Sequence, residues 1–124
     1  MPPGRRLRGA GTGAGMDNTI EVQRQAEEMR RAGERWREVM RVSDLSVGVY
    51  RLAKGTEDTQ APHTEDEVYY VLAGRGVLRI GESEHPVAPG SLAYVPARAE
   101  HRFHDITGDL ELLVFFAPAE GARA

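Results

Sequence analysis

The chain has 124 residues, enough for one closed core and too few for two, and it contains no cysteine. The missing thiols exclude disulfides, thiolate metal sites and a cysteine nucleophile, and they fit a reducing, cytoplasmic setting. The formal charge is -3, yet Arg5, Arg6 and Arg8 lie in an acid-free leader; taking three from sixteen leaves 13 basic against 19 acidic residues, an acidic body that argues against nucleic acid as a partner.

Residues 1–16 are glycine-rich, carry Pro2 and Pro3, and show neither a signal-peptide apolar run nor any helix or strand period. They are expected to be a disordered extension, with Met16-Asp17-Asn18 reading as a more natural start. A helix is predicted within residues 17–34, because Asn18 with Glu21 imitates a capping box and Gly33 supplies a stop. Its apolar stripe, Ile20, Ala26, Met29 and Ala32, is narrow, so the helix is expected on the outside of the domain or on a second subunit.

Residues 35–118 read as a β domain. Trp36 to Val42 alternates like an edge strand, with Trp36, Met40 and Val42 on one side and Trp36 as a core or interface anchor. Strands follow at Leu45 to Leu52 and Val68 to Leu72, then Val77 to Ile80 after a tight turn at Gly74-Arg75-Gly76. His85 to Ala88, Leu92 to Val95, Arg102 to Ile106 and Leu110 to Phe116 complete the set, with Gly108-Asp109 as the last turn. Short strands with Gly and Pro punctuation favour a sandwich or barrel. The longest apolar run, Leu112 to Ala117, is strand-sized and no segment has the length of a membrane span. Leu110 to Phe116 is apolar on both alternating sets and must be covered on both faces, either by the helix or by a second subunit; a homodimer is the preferred expectation. Residues 119–124 are expected to be a flexible tail.

Two stretches carry the chemistry. In the first, Pro62 to Gly74, an extended chain puts His63, Glu65, Glu67, Tyr69 and Val71 on one face, an imidazole beside two carboxylates. Burying such groups unpaired is costly, and a bound cation is the usual compensation. In the second, Gly90 to Asp105, a strand and a Pro96-containing turn lead into a strand that opens on His101.

The spacing of these stretches resembles the two motifs of the cupin superfamily. His, three residues, Glu, six residues, Gly is met by His63, Glu67 and Gly74. Gly, five residues, Pro, one residue, Gly, two residues, His, three residues, Asn is met by Gly90, Pro96 and His101, with Arg98 in place of the second Gly and Asp105 in place of the Asn. Ala61 stands where cupins commonly carry a further His. The resemblance spans roughly residues 43 to 118 and implies an all-β, double-stranded β-helix (jelly-roll) barrel, which the short helix predicted above precedes. It further implies one divalent metal ion held by His63, Glu67 and His101. Two imidazoles and a carboxylate form the facial set that holds non-haem iron, and the same set also accepts zinc, manganese or nickel.

The remaining candidates are weaker. Tyr69 and Phe103 would point into the barrel, as core or as walls of a substrate pocket. Arg98 could reach over the mouth toward an anionic substrate, against a plainer role as a solvated turn residue. Glu65 is expected to be solvent-exposed or a hydrogen-bond partner, turned outward by a bulge; His85 reads as an exposed turn residue, and His104, three positions from His101, faces the other way. Two functions of different class fit: a small-molecule metalloenzyme of dioxygenase, isomerase or lyase type, or a non-catalytic module that binds a metabolite or holds metal structurally.

Overall fold

The computed structural model describes residues 18–122. One helix, α1 (Val22–Ala32), precedes six strands: β1 (Trp36–Val42), β2 (Leu45–Leu52), β3 (Asp66–Ile80), β4 (Ser83–Val87), β5 (Leu92–Val95) and β6 (His101–Ala117). All pairings are antiparallel, in the order β1-β2-β6-β3-β4 with β5 also on β3, and the chain folds as the expected jelly-roll barrel. The leader expected over residues 1–16 lies outside the described residues.

β3 and β6 are each continuous where two strands and a turn were expected. Gly74-Arg75-Gly76 and Gly108-Asp109 are not turns; they face each other inside the β3–β6 ladder, whose register shifts three times between Val71 and Val77. Bulges of this kind bend a long strand around a barrel corner. Gly74 allows the bend, since its φ is +91° and a Cβ there would stand 2.2 Å from the Asp109 carbonyl oxygen. The same residue types mark turns and bulged corners, so composition could not separate the two.

Inward-facing residues alternate along the bent strands and fill the barrel. Tyr69, Val71 and Leu78 from β3 meet Phe103, Leu110, Leu112, Val114 and Phe116 from β6. A second cluster lies outside the barrel wall, where Ala26 and Met29 of α1 pack on Val39, Val47 and Val49, with Leu113 and Phe115 alongside. The second apolar face of the Leu110 to Phe116 strand is thus covered by the chain's own helix. Arg30 reaches from α1 to the buried carboxylate of Glu111, which Arg51 also approaches at 3.4 Å.

The helix starts later than expected. Its N-cap is Glu21, without a side-chain cap, so Asn18 is not the N-cap that the spacing implied, whereas Gly33 ends it as predicted. In β1 the expected side of Trp36, Met40 and Val42 is broken by a bulge between Glu38 and Met40, which turns Val39 inward instead. Of the tail after residue 118, Ala119 is buried and the Glu120 N–H donates to Ser46 Oγ at 2.9 Å.

Candidate metal centre

The site forms where the two motifs meet at one end of the barrel. His63 comes from the loop before β3, Glu67 from the start of β3, and His101 from the first position of β6. Ladder register fixes the second and third: Glu67 pairs with Phe116 of β6, and Ile80 with His101. One nitrogen or oxygen from each of His63, Glu67 and His101 lies within 4.8 Å of the others, close enough to share an ion.

Glu67 Oε1 stands 3.4 Å from His63 Nδ1 and 3.2 Å from His101 Nε2. The outer nitrogens are already engaged. His101 Nδ1 donates to the Ala99 carbonyl at 2.8 Å, which in the neutral ring leaves Nε2 with its lone pair toward the centre. His63 Nε2 lies 3.2 Å from Glu120 Oε2, so Nδ1 is its inward atom. A ligating histidine held from behind by a carbonyl or a carboxylate is the usual architecture of metal sites.

Among the described residues, the buried side-chain polar atoms without a hydrogen bond are His63 Nδ1, both Glu67 oxygens, Tyr69 Oη and His101 Nε2. All belong to this one place. Buried polar groups without partners are rare and costly, so their convergence fits a site built for an ion and its ligand. The electrostatics agree. Burial alone would raise Glu67, but His101, His63 and the Tyr69 hydroxyl outweigh it and bring the carboxyl down to about 2. Glu120 and then Glu67 lift His63 to about 10 against the opposing effect of burial. Burial opposes a proton on His101, yet Glu67 and the Ala99 carbonyl raise it on balance. Burial, and then Glu67, push Tyr69 well above the ordinary phenol range.

Two cavities flank the centre. The larger, about 480 Å³, is bounded by Gln60, Arg79, His101 and Arg102; the smaller, about 150 Å³, by Trp36, Tyr50, His63, Glu67, Phe116 and Glu120. Tyr69 and Phe103 are buried and meet edge to face at 4.9 Å beneath the site. Arg98 is exposed and borders neither cavity; its φ of 65° is the left-handed conformation for which the family uses Gly. Glu65 corrects the expectation of exposure: it is 2 % exposed, since no bulge interrupts the alternation from Glu65 to Val71, and Thr64 Oγ1 donates to its Oε2. His85 is exposed, and His104 faces outward, its Nε2 2.6 Å from Glu84 Oε2.

Sequence reasoning missed Glu120, Trp36 as a cavity wall, and Asp58. The buried Asp58 accepts from the Tyr50 hydroxyl at 2.7 Å, from Gln60 Nε2 at 2.8 Å and from the Phe103 N–H at 2.9 Å. It thereby holds the loop after β2 across the barrel mouth and fixes Gln60 between the two cavities. Trp36 can lie over β2 because Gly48 beneath it has no Cβ, which would stand 2.1 Å from the indole.

The family model described as "Cupin domain" matches residues 48–116. An uncharacterised protein of Streptomyces coelicolor is 48 % identical over 81 residues, 65 % of this chain and 77 % of that one. The crystal structure of TT1209 from Thermus thermophilus superposes with a TM-score of 0.66 at 28 % identity, over 82 % of this chain and 97 % of that one. The DMSP lyase DddQ from Ruegeria pomeroyi shares the fold with a TM-score of 0.61 at 18 % identity, over 66 % of this chain and 45 % of the other.

Proposed function

This chain belongs to the cupin domain family, and from that premise we propose that it is a metal-dependent enzyme acting on a small molecule at the His63, Glu67 and His101 centre. The observation that carries the reading is the convergence of five buried polar atoms without hydrogen bonds on one point beside two cavities. Iron, manganese, zinc and nickel all suit two imidazoles and one carboxylate, and such an ion supplies Lewis acidity or, as iron, redox chemistry. The chain's own contribution is positional. Ala99 and Glu120 orient the imidazoles, Phe103 and Phe116 exclude water, and the Tyr69 hydroxyl offers a hydrogen bond at the inner edge. A lyase on the same fold, DddQ, makes turnover a natural use of such a site. A cytoplasmic location and a homodimer complete the reading, the latter supported by an apolar face on β3 and β5 that no other described residue covers, where Leu92 and Tyr94 are 71 % and 58 % exposed.

The test compares metal per chain after equal dialysis in His63→Gln, Glu67→Gln, His101→Gln and His104→Gln. The first three should lose most of the parent's metal, because two protein ligands remain. His104→Gln should retain it, since that imidazole is outside the barrel. Retention by His101→Gln, or equal loss in His104→Gln, would refute the assignment.

A further inference from the structure

Arg79 of β3 and Arg102 of β6 are direct partners across the ladder, one step along from the terminal pair formed by Ile80 and His101. Like charges placed opposite each other on adjacent strands destabilise a sheet unless something neutralises them. Among the described residues, neither guanidinium is ion-paired with a carboxylate. The acid opposite Arg79 on β4 is Glu84, and its Oε2 lies against His104 Nε2. On the helix side of the molecule, by contrast, Arg30, Arg37, Arg41 and Arg51 are all bonded to glutamates.

Both arginines line the 480 Å³ cavity that also reaches His101. Arg79 Nε donates to the Gly81 carbonyl at 2.9 Å, which steadies the guanidinium and leaves its terminal nitrogens free to bond elsewhere. A guanidinium fork matches the geometry of a carboxylate, and this cavity has two arginines in its lining. Glu100 also lines the cavity, an acceptor that disfavours a dianionic phosphate and suits a hydroxyl or amino donor. The volume lies within the ordinary range for small-molecule sites.

We propose that this cavity binds a small organic acid, its carboxylate held by Arg79 and Arg102 and its remaining polar atoms directed toward the centre at His101. The second half of the statement rests on the metal reading; the first half does not. Calorimetry with succinate, succinamide and inorganic phosphate separates them, first on metal-free protein and then with manganese(II). Succinate should bind the metal-free chain, at least tenfold more weakly in Arg79→Gln or Arg102→Gln and unchanged in Arg75→Gln, an exposed arginine outside the cavity. Higher salt should weaken it, and succinamide should not bind. Manganese should tighten succinate in the parent and not in His101→Gln. Equal binding of succinamide, parent-like binding by both arginine variants, or no binding to metal-free protein would overturn the proposal, and tighter binding of phosphate would overturn the carboxylate assignment. If arginine-dependent binding persists without any effect of manganese, it is the metal reading that fails.

Discussion

The main-chain N–H of Arg98 donates to the carbonyl oxygen of His63 at 2.6 Å, so the turn of the second motif is fastened to the histidine that opens the first motif. Arg98 adopts φ 65° to make this bond. A residue with a Cβ loses roughly 1–2 kcal/mol in that region, and glycine recovers this at the expense of about 0.5–1 kcal/mol of unfolded-state entropy. Arg98→Gly is therefore expected to be between neutral and about 1 kcal/mol more stable than the parent, with full metal content. Arg98→Val, β-branched in a left-handed turn, should lose about 1–2 kcal/mol. Thermal unfolding of the two variants checks the order, and a more stable Arg98→Val would contradict it.

Glu120 stands behind His63 as the Ala99 carbonyl stands behind His101. Removing such an outer partner typically costs about 10–100-fold in metal affinity. Glu120→Ala should weaken the ion by about that factor and, because the His63–Glu120 pair is lost, should also lower the melting temperature of the metal-free protein at neutral pH. Glu120 is also the largest cause of the raised His63 value, so in the metal-free variant the imidazole should titrate well below about 10. Nitrogen-15 spectra of the histidine rings read both the proton and the tautomer; an unchanged His63 titration would remove Glu120 from this role.

Protons and metal compete for the same atoms. In the metal-free chain His63 is raised to about 10, so its ion pairs contribute stability that is full below about 6.5 and fades as pH rises through 10. Glu67, held to about 2, contributes stability that is full above its ordinary 4.5 and is lost as pH falls toward 2. An arriving ion must displace the His63 proton. Metal binding at pH 8 should then release about one proton per ion, and affinity should rise with pH between about 6.5 and 10. Titration of metal into weakly buffered protein with an indicator dye measures this, and a release near zero would show that His63 is already neutral.

The clustering of His63, Glu67 and His101 was legible because strand geometry converts spacing into position. Once Glu67 and Tyr69 were placed on one face, alternation carried Val71 inward with them, and the turn at Pro96 set His101 at the mouth of the next strand; the same alternation buries Glu65, where a bulge had been expected to turn it outward. Asp58 and Glu120 were not legible, since they lie in segments without period and reach the site only through the closure of the barrel. Arg79 and Arg102 carry no motif or spacing signal in the sequence; only the register of β3 on β6 brings them together.

The outer face of β3 and β5 gives the last prediction. Val68 pairs with Tyr94 and Tyr70 with Leu92, and the row continues through β6 to Phe115 and Leu113, where α1 covers it. On β3 and β5 nothing among the described residues does, and Tyr70, Leu92 and Tyr94 remain exposed. A contiguous apolar face of this kind favours a self-complementary contact with a second copy. Light scattering at micromolar concentration should give twice the 13.7 kDa chain mass. Leu92→Glu should shift the mass toward the monomer while leaving metal content intact, because its side chain is on the outer surface, away from the barrel interior. A parent that scatters as 13.7 kDa would reject the dimer, and a dimer unaffected by Leu92→Glu would move the contact to another face.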